Sequence, residues 1–76
     1  MNITMHRFFV PRDSFAGDNI SITGQLVYQI TRVLRLKPGD HIIVLDNNGW
    51  EFETEIESIK RDIVQGKIIN RELGKG

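Results

Sequence analysis

Four side chains suited to binding a polyanion fall close together near the middle of the chain. Tyr28, Arg32 and Arg35 are spaced i, i+4 and i+7, which places them on one stripe of a helix, and Lys37 follows two residues later. Guanidinium groups bind phosphates or stack on bases, and an exposed tyrosine can stack on an unpaired base. With Arg7 on the first predicted strand, these residues are the candidates for nucleic-acid contact. Composition alone favours the alternative, in which the arginines only solubilise the outer face of an amphipathic helix.

Groups that could support catalysis are not arranged for it. The glutamates at positions 51, 53, 55 and 57 recur every second residue, which lines them along the solvated side of a strand. His6 and His41 have no serine or cysteine partner at a recognisable spacing, and without cysteine they cannot complete a zinc shell. No glycine-rich phosphate loop is present in the sequence. We therefore expect no catalytic, cofactor-binding or metal-binding residue in this chain.

Composition bounds the class of protein. A chain of 76 residues forms one domain with a small core. The lack of cysteine, of a long apolar run and of a signal peptide predicts a cytoplasmic protein without membrane contact. The net charge of zero hides a gradient, because residues 1–40 carry five basic and three acidic side chains whereas residues 41–76 carry five and seven. The first half is the better candidate to face a polyanion.

The first half of the chain predicts two strands and a helix. An apolar stretch at residues 5–10 predicts a strand, residues 12–19 a loop, and residues 20–22 a brief second strand. A helical period then begins, which predicts a helix over residues 24–35. The apolar face of that helix is expected to comprise Leu26, Val27, Ile30, Val33 and Leu34.

The second half of the chain predicts three strands. The turn at residues 37–40 leads into a strand at 41–45, and the sequence DNNG at 46–49 predicts a hairpin turn before a strand at 50–59. The last strand is predicted at 63–69, where Gly66 indicates a bulge or barrel corner. The fold class is therefore mainly β, with five or six short strands in a closed or half-open barrel and one helix covering an end.

Four segments resemble, in order, the N-terminal domain of the RsmE family, the ribosomal RNA small subunit methyltransferases E. They are MHRFFV at 5–10, ITG at 22–24, RVLRLKPGD at 32–40 and DNNG at 46–49. The resemblance covers essentially the whole chain, and RVLRLKPGD is its most specific part. It implies a PUA-like β-barrel over residues 1–71, a linker or arbitrary chain end over 72–76, and a C-terminal SPOUT domain that is absent from this chain.

The resemblance also implies a function. In that family the SPOUT domain binds S-adenosylmethionine and methylates N3 of a uridine in 16S ribosomal RNA, while the barrel helps to bind the RNA. The implied partners are 16S ribosomal RNA or the small ribosomal subunit, and the protein's own methyltransferase domain. We expect no cofactor in this chain, which would be a monomer, whereas the full-length protein would be a homodimer.

The resemblance makes Arg7, Arg32, Arg35 and Lys37 candidates for RNA contact. Family members often carry histidines just before the arginine string, where this chain has Tyr28 and Gln29. A role that needs imidazole is therefore in doubt here, but Tyr28 can still stack or form hydrogen bonds. Two alternatives stay open: a barrel that only orients the catalytic domain, and an unrelated small OB-like or SH3-like interaction domain.

Overall fold

Six strands form one sheet that curves into a half-barrel, with one helix beside it. The computed structural model describes residues 5–74. The predicted mainly β class is confirmed. The strands are β1 (Arg7–Phe9), β2 (Phe15–Ala16), β3 (Asn19–Thr23), β4 (His41–Leu45), β5 (Trp50–Ile59) and β6 (Ile63–Leu73), with a 3₁₀ turn (Arg12–Ser14) before β2 and a helix, α1 (Gln25–Tyr28), that continues into a π-helical segment (Gln29–Val33).

The strand β6 joins the two halves of the sheet. The strand order is β1-β4-β5-β6-β3-β2, so β6 pairs with β5 on one side and with β3 on the other. Only β1 and β4 run parallel, and the other neighbours are antiparallel. The pairing of β5 with β6 shifts register twice, between Glu53 and Thr54 and between Ile56 and Ser58. Such irregularities bend a sheet and help it to curve.

Aliphatic side chains from the strands and the helix form a single core. Every second residue points inward in β3, in β4 and in the first half of β6, and the helix adds Val27 and Ile30. Thr54 is the only buried polar side chain within residues 5–74, and its Oγ1 donates to the Phe52 carbonyl oxygen at 3.1 Å. The core comprises Val10, Ile20, Ile22, Val27, Ile30, Ile42, Val44, Ile56, Val64 and Ile68.

Several predicted elements agree with the structure. The bounds of β4 and β5 are as predicted, and the hairpin turn between them is held by Asp46, whose Oδ1 accepts the amide protons of Asn48 at 2.8 Å and Trp50 at 3.2 Å. Asn47 and Gly49 supply the positive φ angles of 66° and 93° that the turn requires. No described helix has the length and apolar character needed to cross a membrane.

Several elements differ from the prediction. The strand β1 is shorter than the one predicted at 5–10, and β3 is longer than the one predicted at 20–22. The stretch predicted as a loop contains β2, whose two residues are too few to show a period. The last strand runs on to Leu73, because residues 70–73 pair with β5 although they are mostly polar. That strand includes two residues of the predicted linker, 72–76; the boundary of the domain stays a prediction, and residues 75–76 lie outside the described range.

The helix ends earlier than predicted. Its π-helical segment finishes at Val33, two residues before the expected end. The wider turns of a π-helix change the angle between successive side chains. Val33 is consequently 57% exposed rather than in the core, while Val27 and Ile30 are buried as predicted. Leu36, beyond the helix, packs against the core instead.

Gly66 lies where β6 crosses closest to β5. A Cβ atom at this position would lie 2.6 Å from Thr54 Cγ2 and 3.1 Å from the Glu55 carbonyl oxygen. We expect Gly66→Ala to lower the free energy of unfolding by about 1–3 kcal/mol, since the core must move to admit a methyl group. Urea unfolding measures this change.

The variant Thr54→Ser provides the control, because it removes the Cγ2 atom that blocks the site and keeps a hydroxyl. Gly66→Ala should cost less in the Thr54→Ser background than in the native chain. An equal cost in both backgrounds would show that the contact with Thr54 is not the cause.

Candidate nucleic-acid interface

The structure brings four of the five candidate residues together. Tyr28 lies at the end of α1, Arg32 lies in the π-helical segment, and Arg35 and Lys37 follow the helix. All four border one open depression, whose remaining lining residues are Thr31 and Leu36. The spacing predicted that Tyr28, Arg32 and Arg35 share one helical stripe, but they do not, because the helix ends before Arg35. The loop that leaves the helix brings them together instead.

The end of the helix determines where Arg35 points. Its φ angle is 54°, in the left-handed region where glycine usually terminates a helix. Around it, the Leu34 amide donates to the Gln29 carbonyl at 2.8 Å and the Leu36 amide donates to the Ile30 carbonyl at 2.9 Å. These bonds close the wide last turn and seat Leu36 on the core. Arg35 therefore occupies a backbone conformation that costs an ordinary residue roughly 1–2 kcal/mol.

The loop that carries Lys37 is fixed at both ends. The Lys37 amide donates to Asp40 Oδ2 at 2.8 Å, and the Asp40 amide donates to the Lys37 carbonyl at 2.9 Å. Gly39, with a φ angle of 99°, donates its amide proton to the Ile56 carbonyl at 2.8 Å, which ties the loop to β5. The position of Lys37 is thus set by hydrogen bonds of its own backbone, and its ammonium group is left for other contacts.

The cations of the depression have no carboxylate partner among the described residues. Within residues 5–74, the side chains of Arg32, Arg35 and Lys37 form no ion pair, and all three residues are exposed. Arg7 and Arg71, by contrast, each contact a carboxylate. Tyr28 is 63% exposed beside the three cations. The depression therefore combines uncompensated positive charge with an aromatic ring, as phosphate contact and base stacking require.

Arg7 is not part of this depression. It lies on β1, and its Nη1 is 3.0 Å from Glu51 Oε1. It lines two other clefts of the surface, one of them shared with Glu53 and Arg71. Its proposed contact with RNA stays a prediction, and RNA would have to compete with Glu51 for the guanidinium group.

Two glutamates of β5 form contacts that their spacing in the sequence, every second residue, does not indicate. Glu51 pairs with Arg7, and Glu53 Oε2 lies 2.9 Å from His41 Nδ1. Both glutamates are half-buried rather than fully solvated. The prediction of a plain solvent face was wrong for these two residues, because Arg7 on β1 and His41 on β4 lie diagonally across from them and reach their carboxylates. Within residues 5–74 no three His, Cys, Asp or Glu side chains are grouped so that they could hold a metal ion.

Sequence reasoning did not include three contributors to the depression: Thr31, Leu36 and Asp40. Leu36 forms part of its wall while packing on the core, and Asp40 fixes the loop that carries Lys37. The signal for Asp40 was present in the sequence KPGD, because an aspartate side chain often accepts a backbone amide proton in a turn. No comparable signal pointed to Leu36, whose role depends on the left-handed turn at Arg35.

Comparison with known proteins identifies the family. Residues 30–69 match the family model described as "RNA methyltransferase PUA domain". The chain belongs to this family. The matched range begins in the helix and ends in β6, so this part of the PUA domain contains Arg32, Arg35 and Lys37. The predicted resemblance is confirmed, and the alternative of an unrelated OB-like or SH3-like domain is excluded.

Individual relatives resemble this PUA domain over most of its length. Ribosomal RNA small subunit methyltransferase E of Bacillus subtilis (strain 168) is 34% identical over 77 residues, which cover 91% of this chain and 30% of that protein. A predicted RNA methyltransferase from Thermotoga maritima superposes with a TM-score of 0.78 at 26% identity, over 92% of this chain and 31% of that one.

A third relative shares the fold at lower identity. Ribosomal RNA small subunit methyltransferase E from Neisseria gonorrhoeae, solved bound to S-adenosyl methionine, superposes with a TM-score of 0.77 at 20% identity, over 91% of this chain and 29% of that one. The PUA domain described here thus spans less than a third of the length of each of these relatives.

The left-handed turn at Arg35 leads to a prediction about the free energy of unfolding. Replacement by glycine removes the steric cost of the positive φ angle, so Arg35→Gly should raise the free energy of unfolding by about 0.5–1 kcal/mol. Arg35→Ala is the matched control, since it removes the same guanidinium group but keeps a Cβ atom. Urea unfolding of both variants separates the effect of losing the guanidinium group from the effect of losing the Cβ atom. A loss of stability in Arg35→Gly similar to that in Arg35→Ala would show that the side chain itself stabilises the turn.

Proposed function

We propose that this PUA domain binds RNA through the depression formed by Tyr28, Arg32, Arg35 and Lys37. The observation that supports the proposal is the grouping of three exposed cations, without carboxylate partners within residues 5–74, around an exposed tyrosine ring. A surface that only needs to be soluble gains nothing from concentrating like charges, which repel one another. A phosphate backbone relieves that repulsion.

The arrangement suits a single-stranded or looped segment of RNA. Arg32 and Arg35 can each grip a phosphate with two parallel hydrogen bonds, and Lys37 supplies a third positive charge beside them. Tyr28 offers its ring to a base, which must be unpaired to stack on it. Because hydrogen bonds hold the helix end and the loop in place, little backbone ordering is needed on binding.

The longer protein would be an S-adenosylmethionine-dependent methyltransferase of ribosomal RNA. Its relatives carry names of that kind, and the protein from Neisseria gonorrhoeae was solved with S-adenosyl methionine. We propose 16S ribosomal RNA as the substrate, N3 of a uridine as the methylated atom, and a cytoplasmic homodimer as the full-length form, with the 76-residue chain a monomer.

Charge reversal tests the depression. The double variant Arg32→Glu with Arg35→Glu should bind in-vitro-transcribed 16S ribosomal RNA about 100-fold more weakly than the native domain, because two charged contacts are lost. The slope of log affinity against log salt should fall by about 0.7 for each lost phosphate contact to a single strand. Fluorescence anisotropy over a series of potassium chloride concentrations measures both quantities.

A control variant with the same change in net charge separates the site from general electrostatics. Arg12→Glu with Lys67→Glu alters two exposed residues that do not line the depression. Its affinity should stay near that of the native domain. Equal losses in the two double variants would refute a localised site, and competition by an unrelated RNA of the same length reports whether 16S ribosomal RNA is preferred.

Tyr28 should act through its ring rather than through charge. Tyr28→Ala should weaken binding to a single-stranded RNA oligonucleotide by about 1–3 kcal/mol, which is the contribution of one stacked base. Tyr28→Phe keeps the ring and should retain most of the affinity. The salt slope should be the same in all three proteins. A loss in Tyr28→Phe as large as that in Tyr28→Ala would assign the role to the hydroxyl group.

A further inference from the structure

A second pocket, without charged side chains, adjoins the basic depression. It lies along the flank of the helix where Gln25, Gln29 and Val33 recur every fourth residue, and Tyr28 is its remaining described lining residue. We call it the amide pocket. Its volume is about 310 Å³, which is at the lower end of the range for pockets that hold small molecules. The function proposed above assigns no role to Gln25, Gln29 or Val33.

Tyr28 borders both the amide pocket and the depression. Its exposed ring therefore marks the boundary between a cationic surface and an uncharged one. A nucleotide has the same division, because its phosphate is charged and its base is not. A base that stacks on Tyr28 while its phosphate contacts the cations is consequently brought next to the amide pocket.

The two glutamine side chains have the groups needed to bind the edge of a base. Each amide offers two N–H donors and one carbonyl acceptor. Both residues are exposed, and within residues 5–74 neither side chain forms a hydrogen bond with another residue. A glutamine amide can form two parallel hydrogen bonds with a neighbouring donor and acceptor on a base, and an unpaired base leaves these groups open. Val33, which the π-helical segment leaves 57% exposed, adds an apolar contact beside them.

We propose that the amide pocket takes one unpaired base of the bound RNA and binds the hydrogen-bonding edge of that base through Gln25 and Gln29. The proposal rests on the proposed function, in which phosphates occupy the depression. It assigns a second task to the same site, because phosphate contacts position an RNA whereas contacts with base edges distinguish its sequence. The glutamines would thus give this domain a preference among RNA segments that the cations alone cannot provide.

Apolar base analogues test this proposal directly. The probes are single-stranded RNAs of about eight nucleotides, oligo(U) and oligo(A), and the same chains with apolar rings of similar shape, difluorobenzene for uracil and methylindole for adenine. All four chains carry the same phosphates and can stack on Tyr28, but only the natural bases have a hydrogen-bonding edge. The native domain should bind at least one natural chain about tenfold more tightly than its apolar counterpart, as fluorescence anisotropy at low salt measures.

Matched variants assign that difference to the glutamines. Gln25→Met with Gln29→Met removes both amides and keeps the side-chain length and the helix propensity. This variant should bind natural and apolar chains with equal affinity. Gln65→Met is the control, since Gln65 is exposed on β6 and lines neither the pocket nor the depression, and it should behave as the native domain does. A preference for natural bases that survives in the double methionine variant would overturn the proposal.

An abasic chain of the same length separates failure of the amide pocket from failure of the depression. It keeps every phosphate but has no base, so the native domain and the double methionine variant should bind it equally. Arg32→Glu with Arg35→Glu should weaken that binding, and unchanged binding would refute the depression and the amide pocket with it. Equal binding of natural and apolar chains by the native domain, for both bases, would refute the amide pocket alone.

Discussion

The pairing of β6 with both β5 and β3 is the constraint on which the rest of the sheet depends. Through one edge β6 holds β3, and the helix with its basic depression follows directly from β3. Through its last residues the same strand reaches the β4–β5 hairpin, where the Gly74 amide donates to the Gly49 carbonyl at 2.6 Å. The close approach at Gly66 permits this arrangement, because a Cβ atom there would meet Thr54 of β5. One strand thus fixes the helix on one side and the β4–β5 hairpin on the other.

The end of the helix converts that scaffold into a candidate binding site. A regular helix would have carried Arg35 on along the stripe of Tyr28 and Arg32. The π-helical segment and the left-handed turn instead seat Leu36 on the core and direct the chain into the loop of Lys37. Arginine at a position that favours glycine lowers stability, and strain of this kind is often found where a side chain serves a function. RNA contact would explain why a cation occupies this position.

Local sequence patterns predicted the strands in which the alternation of apolar and polar residues runs over several positions. The bounds of β4, β5 and their hairpin followed from alternation and turn residues, and the family followed from RVLRLKPGD. The pairing of Arg7 with Glu51 could not be predicted, because the two residues lie far apart in the chain. The strand β2 has only two residues, too few to show a period, and the apolar spacing of the helix does not distinguish a π-helical turn from an α-helical one.

The most direct test of RNA recognition is a titration of the isotopically labelled 76-residue chain with a fragment of 16S ribosomal RNA, followed by two-dimensional NMR. Amide signals from Tyr28 to Lys37 should shift most, and signals from β1 and β5 should stay in place. The largest shifts at Arg7 and along β5, or shifts spread evenly over the sheet, would contradict binding at the depression.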